Sequence, residues 1–151
     1  MNRYNSTKTQ RAKSFVNIKR TFAQTPTSVA YKDIGPLPLV EDIKSGAAGN
    51  TNWRTTLWTG AYLQMTYMSI PVGQEIPSEI HTDTDQMLYI VQGEAEVEFA
   101  GEKSPHHTAY NGYGIFIPAG AEHRIKNISS RELKLISVYA PPHHPRGSEK
   151  P

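Results

Sequence analysis

Past Trp53 the chain alternates short runs of β-branched, aromatic and large aliphatic residues with clusters of Gly, Pro, Asn and Ser. RTTLWT (54–59) and YLQMTYMSI (62–70) are two such runs, with a turn at Thr59–Gly60–Ala61. QMLYIVQ (86–92) is almost continuously apolar. In EAEVEFA (94–100), Glu94, Glu96 and Glu98 point one way and Ala95, Val97 and Phe99 the other, which predicts a strand with one wet and one dry face. GIFIP (114–118), EHRIKN (122–127) and ELKLISVYA (132–140) read as three further strands, with turns at Pro118–Gly120 and Asn127–Ser130. GEKSPHHTAYNGY reads as a polar loop, and Glu41–Ala48 as one or two helical turns. About eight or nine closely spaced strands without a long helix predict an all-β fold, an antiparallel sandwich or closed barrel.

The 151 residues suit one domain. The expected organisation is a basic extension over 1–33, one β domain over 34–145 and a tail over 146–151. Net charge is +2, but the seven Lys and Arg up to Lys32 meet no Asp or Glu, so the rest of the chain is mildly acidic. Nucleic-acid binding through so sparse a basic segment is not expected. No apolar run approaches a membrane span and no secretory apolar segment opens the chain, so a cytoplasmic protein is expected. Cysteine is absent, which excludes disulfides, thiol catalysis and thiolate ligands.

One stretch, GQEIPSEIHTDTDQMLYIVQG (73–93), places polar donors between hydrophobic runs. Side chains two apart on a strand share a face, so Glu79 and His81 point the same way if that segment is extended. A turn over Thr82–Asp85 then brings Gln86 to the start of the next strand, and His123 begins a later one. Should these strands be neighbours, one carboxylate, two imidazoles and one amide converge. Such donors suit a borderline divalent cation and leave coordination positions open. Arg54 and Arg124 are rival partners for the Glu79 carboxylate. Asp83 and Asp85, in the turn, are candidates for a general base, with turn formation as the plainer role. Tyr89 should face away from Gln86, Leu88 and Ile90. His106–His107 read as surface residues, and His143–His144 as a packing or dimer-loop pair. Which of 63, 65, 67 or 64, 66, 68 faces inward stays open.

The sequence resembles the cupin superfamily. Gly112, Pro118, Gly120, His123 and Asn127 fall on every fixed position of the second cupin motif. Gly73, His81 and Gly93 fit the frame of the first, with Glu79 at its usual first His and Gln86 at its usual Glu. The resemblance implies a small antiparallel barrel of jelly-roll or double-stranded β-helix type, holding one divalent metal (Zn, Mn, Fe or Ni) at Glu79, His81, Gln86 and His123. It also implies a homodimer. The strings EIHTDTDQ and APPHHP are similar to those of small cupins labelled mannose-6-phosphate isomerase-like. The reading carried forward is a metal-dependent isomerase or epimerase acting on a small polar metabolite such as a sugar, sugar phosphate or keto compound. A non-haem iron dioxygenase and a non-catalytic small-ligand module are the alternatives.

Overall fold

The computed structural model describes residues 32–101 and 106–150. Nearly all of the basic segment read as an extension lies outside those residues. Within them are one short helix and ten strands: α1 (Ile43–Gly49), β1 (Arg54–Thr59), β2 (Gln64–Ile70), β3 (Glu75–Glu79), β4 (Asp85–Gln92), β5 (Glu94–Phe99), β6 (His106–Tyr110), β7 (Gly114–Ile117), β8 (His123–Asn127), β9 (Leu133–Ala140) and β10 (Glu149–Lys150). All pairings are antiparallel. They build a six-stranded sheet, β10-β1-β2-β9-β4-β7, and a four-stranded sheet, β3-β8-β5-β6. The all-β expectation holds.

Period-2 alternation decides what lies between the sheets. Met68, Ile70, Leu88, Ile90, Ile115, Ile117, Leu133 and Leu135 of the large sheet meet Ile76, Ala95, Val97, Ala109 and Ile125 of the small one. On β2 the even-numbered residues therefore face inward. Odd-numbered Tyr67 turns outward with Ile136 into a second cluster under α1, and Tyr89 packs against it, as its alternation predicts. Gly46 lets the helix seat there, because a Cβ at that position would overlap the Tyr67 ring.

On β5, Ala95 and Val97 are buried while Glu96 and Glu98 face outward. There Arg124 binds Glu98 (2.6 and 2.9 Å), Glu75 (2.8 Å) and Glu96 (3.1 Å). Arg124 is thereby occupied on the outer face and does not partner Glu79.

Three local expectations need correction. The segment read as a polar loop contains β6, whose outer residues HHT carry no apolar alternation; pairing with β5 overrides their weak propensity. Residues 75–79, not assigned among the strands, form β3. The end read as a tail is docked: Arg54 pairs with Lys150 and Thr55 with Glu149, and the Arg146 guanidinium binds the carbonyls of Gly35 and Thr59. Backbone pairing on a sheet edge leaves almost no trace in side-chain pattern. No helix among the described residues is long and apolar enough to cross a membrane.

Asn127 closes the turn between β8 and β9. Its buried amide donates to Ile70 O (2.9 Å) and Arg131 O (2.8 Å), and its oxygen accepts from Ser129 N (2.9 Å) and Ser129 Oγ (2.8 Å). Removing it strands several backbone groups at once. Asn127→Ala should cost about 2–4 kcal/mol of stability. In urea unfolding this appears as a lower midpoint at unchanged slope; an unchanged midpoint would show that solvent replaces the amide.

Candidate metal centre

The site begins with an irregularity. Ile76 of β3 lies opposite Ile125 of β8, and both face the core. Two residues back along β8 is His123, on the same face, yet its partner on β3 is Glu79, three residues on. The extra residue is a β-bulge, which flips Glu79 from the outer face to the inner one. Strict alternation would have put Ser78 there. Beyond Glu79 the chain leaves the strand, so His81 shares the site from a loop and not from a common strand face.

That loop is tied down at two points. Gly120 N donates to His81 O (2.7 Å), and Ala119 N donates to the Asp85 carboxylate (2.9 Å). Ala121 N bonds Pro118 O (3.1 Å) across a turn whose third residue, Gly120, has φ +83, a conformation suited to glycine. The two motif segments thus clamp one another at one end of the barrel.

The outcome is a compact triad. Glu79 Oε1 lies 3.2 Å from His81 Nε2 and 3.4 Å from His123 Nε2, and the three ligand atoms all fall within 4.8 Å of one another. Both imidazoles are buried, and Glu79 is about one-third exposed. Despite the short distances, neither Nε2 makes a hydrogen bond of acceptable geometry. The atoms border a common point and do not bond one another. Around an ion with bonds of about 2.1 Å, neighbouring ligands sit about 3.0 Å apart at right angles and about 3.4 Å apart in a tetrahedron. His123 Nδ1 lies 3.0 Å from Ala121 O. With the Nδ1 proton donated to that carbonyl, Nε2 keeps a lone pair for the site. These residues fit a divalent cation.

Proton affinities follow from the same packing. Burial pushes Glu79 up, but His123 and His81 more than offset it, and the carboxyl is held below its ordinary value. Burial lowers His81, and the charge of Glu79 does not restore it. His123 is raised: Glu79 and the Ala121 carbonyl outweigh burial.

Gln86 lies on the inner face, opposite Tyr139 of β9. It is buried, its Nε2 donates to Ser137 Oγ (3.1 Å), and its Oε1 has no partner. The free oxygen is the atom a cation would use. Asp83 is exposed in the turn, and Asp85 is exposed and engaged with Ala119 N, so neither belongs to the tight triad.

The sequence reading missed the contribution of 143–144. The His143 ring lies edge-on to His81, centroids 4.2 Å apart, and stacks on Tyr139 at 5.6 Å. His144 meets Tyr139 edge-on at 4.9 Å, and its backbone is held by the Gln64 side chain through N–H to Oε1 and Nε2 to carbonyl, each 2.8 Å. A signal was present: the register pairs Asp85 with Ala140, so whatever follows Ala140 must lie at the rim that carries the β3–β4 loop.

A cupin domain family profile matches residues 66–139. The Bacillus subtilis (strain 168) protein YrkC is 41% identical over 125 residues, covering 80% of this chain and 67% of that protein. Protein L612 of Acanthamoeba polyphaga mimivirus is 34% identical over 109 residues, covering 72% and 68%. The solved structure of BH2720 from Bacillus halodurans superposes with a TM-score of 0.76 at 40% identity, covering 79% of this chain and 92% of that one.

His144 yields a pH prediction. Burial lowers its pKa to about 4, with the positive charge of Arg54 adding to the effect. The unfolded chain takes up this proton first as pH falls, so the contribution to stability is complete above about pH 6.5 and is lost on the way down to about pH 4. In metal-free buffer, the melting temperature should fall more steeply for the wild type than for His144→Gln between about pH 7.5 and about pH 5. Equal slopes would place the His144 ring in solvent.

Proposed function

Because this chain belongs to the cupin family, with its triad at one end of the barrel, we propose that it binds one divalent metal and acts on a small polar metabolite. The carrying observation is the spacing and orientation of Glu79 Oε1, His81 Nε2 and His123 Nε2: close enough to share an ion, not aligned to bond one another. Gln86 Oε1 is the fourth donor in this reading. A divalent cation held there supplies polarisation of a ligand oxygen at its open positions.

The inner lining supports a hydrophilic ligand. Gln64, Thr66, Gln86, Ser137 and Tyr139 line up in two rows across β2, β9 and β4, above the apolar base formed by Met68, Ile90 and Leu135. Burial raises the pKa of Tyr139, so its hydroxyl stays protonated and can donate to a ligand oxygen. His143, exposed at the mouth against His81, is placed to pass a proton between ligand and solvent. Asp83 is the carboxylate left at the rim for a base role. Proton transfer without redox change, of isomerase or epimerase type, is the chemistry these groups favour, in line with the resemblance to mannose-6-phosphate isomerase-like cupins.

One observation favours a second reading. Two imidazoles and one carboxylate also form the donor set of non-haem iron oxygenases. Copurifying zinc or manganese supports proton chemistry; copurifying iron with substrate-dependent O₂ uptake supports oxygenation.

The metal assignment is tested by calorimetric titration with Mn²⁺ or Zn²⁺. His81→Ala and His123→Ala should each weaken binding by at least about 100-fold, and Asp83→Asn by less than about threefold. Unchanged affinity in both histidine variants would remove the centre from this location.

A further inference from the structure

Arg54 is the neglected charge of the barrel. Its register partner on β2 is Met68, an inner-face residue, so the Arg54 side chain starts out on the inner side of the large sheet. The Nε atom is buried without a hydrogen-bond partner, and among the described residues no carboxylate pairs with the guanidinium. Its neighbour on the other side in register is Lys150, a second cation. Arg54 is also felt at the metal end: its charge acts on both Tyr139 and His144.

It is not alone in lacking a partner. Thr66 Oγ1 and His144 Nε2 are buried and unpartnered as well. Thr66 is fully buried on the inner face, opposite Thr56 and Ser137, and His144 is held over the same region by Gln64. A buried guanidinium without a counter-charge is costly, and unmet hydroxyl and imidazole groups add to that. A divalent cation at the triad finds one carboxylate, leaving positive charge there as well.

We propose that the ligand of this barrel is a small carboxylic acid whose carboxylate docks on Arg54 Nε and Thr66 Oγ1, beside the His144 ring, with a second oxygen turned to the metal centre. The proposal deepens the preceding reading and rests on it for the position of that second oxygen. A carboxylate suits the donors better than a phosphate does: one guanidinium, one hydroxyl and one imidazole meet a single charge, and no glycine-rich loop or helix N-terminus is present at this rim to compensate a second.

The test uses glycolate and its neutral counterpart glycolamide as probes, titrated calorimetrically into Mn²⁺-loaded and metal-free protein, with inorganic phosphate as a third arm. Wild type should prefer glycolate to glycolamide by about tenfold or more. Arg54→Gln should weaken glycolate by about 10- to 100-fold while Mn²⁺ affinity and the glycolamide signal stay put. Thr66→Val should weaken glycolate by a smaller factor. Arg54→Lys, which keeps the charge but not the fork, guards against a folding artefact and should recover part of the affinity. Equal glycolate binding in wild type and Arg54→Gln, or tighter binding of phosphate than glycolate, overturns the proposal. Loss of Mn²⁺ binding is a separate result: with the Arg54-dependent glycolate signal kept in metal-free protein, the carboxylate site stands and the metal reading falls.

Discussion

A single extra residue in β3 governs the chemistry of this barrel. Without the bulge between Ile76 and Glu79, alternation would aim Ser78 inward and leave Glu79 among the outer carboxylates that hold Arg124. With it, one negative charge stands between two buried imidazoles. Those imidazoles gain a reason to be buried, and the barrel end gains a place where an ion is better accommodated than water. The flanking turns secure the arrangement. Gly120 hands its N–H to His81, Asp85 takes that of Ala119, and Ala121 accepts from His123, so the residues that follow the bulge are fixed through backbone groups.

Electrostatics divide the molecule in a way that matches this. Outer-face acids of the small sheet are neutralised by Arg124, an exposed arrangement of modest energetic weight. Inside, compensation is incomplete. Arg54, Thr66, Gln86 and His144 each keep a buried polar atom unmet, all on the half of the barrel that carries the triad. The opposite half is filled by Met68, Ile70, Leu133 and Leu135 without such gaps. Incomplete satisfaction confined to one region is the expected form of a site shaped for a ligand rather than for stability alone.

Much of this was legible in the sequence, and the limits have physical causes. Strands with apolar alternation, such as β5, and the dense runs of β4 and β9 stand out because burial imposes the pattern. Glu79, His81 and His123 are recoverable from motif spacing. The bulge is not, because a period-2 reading has no place for an inserted residue. β6 stayed hidden because its outward residues are polar, and β10 because only its backbone pairs. Arg54 and Thr66 sit far from the motifs, and their inward orientation depends on register across β1 and β2, which sequence alone leaves open. The contribution of His143 and His144 depended on the same long-range register at Ala140.

The central claim is that Glu79, His81 and His123 share one cation. Anomalous diffraction from crystals grown with Mn²⁺ or Zn²⁺ tests it most directly. The account predicts one dominant peak about 2.0–2.3 Å from Glu79 Oε1, His81 Nε2 and His123 Nε2 together. A dominant peak at another set of side chains, or none at saturating metal with the three atoms hydrogen-bonded to each other, would contradict it.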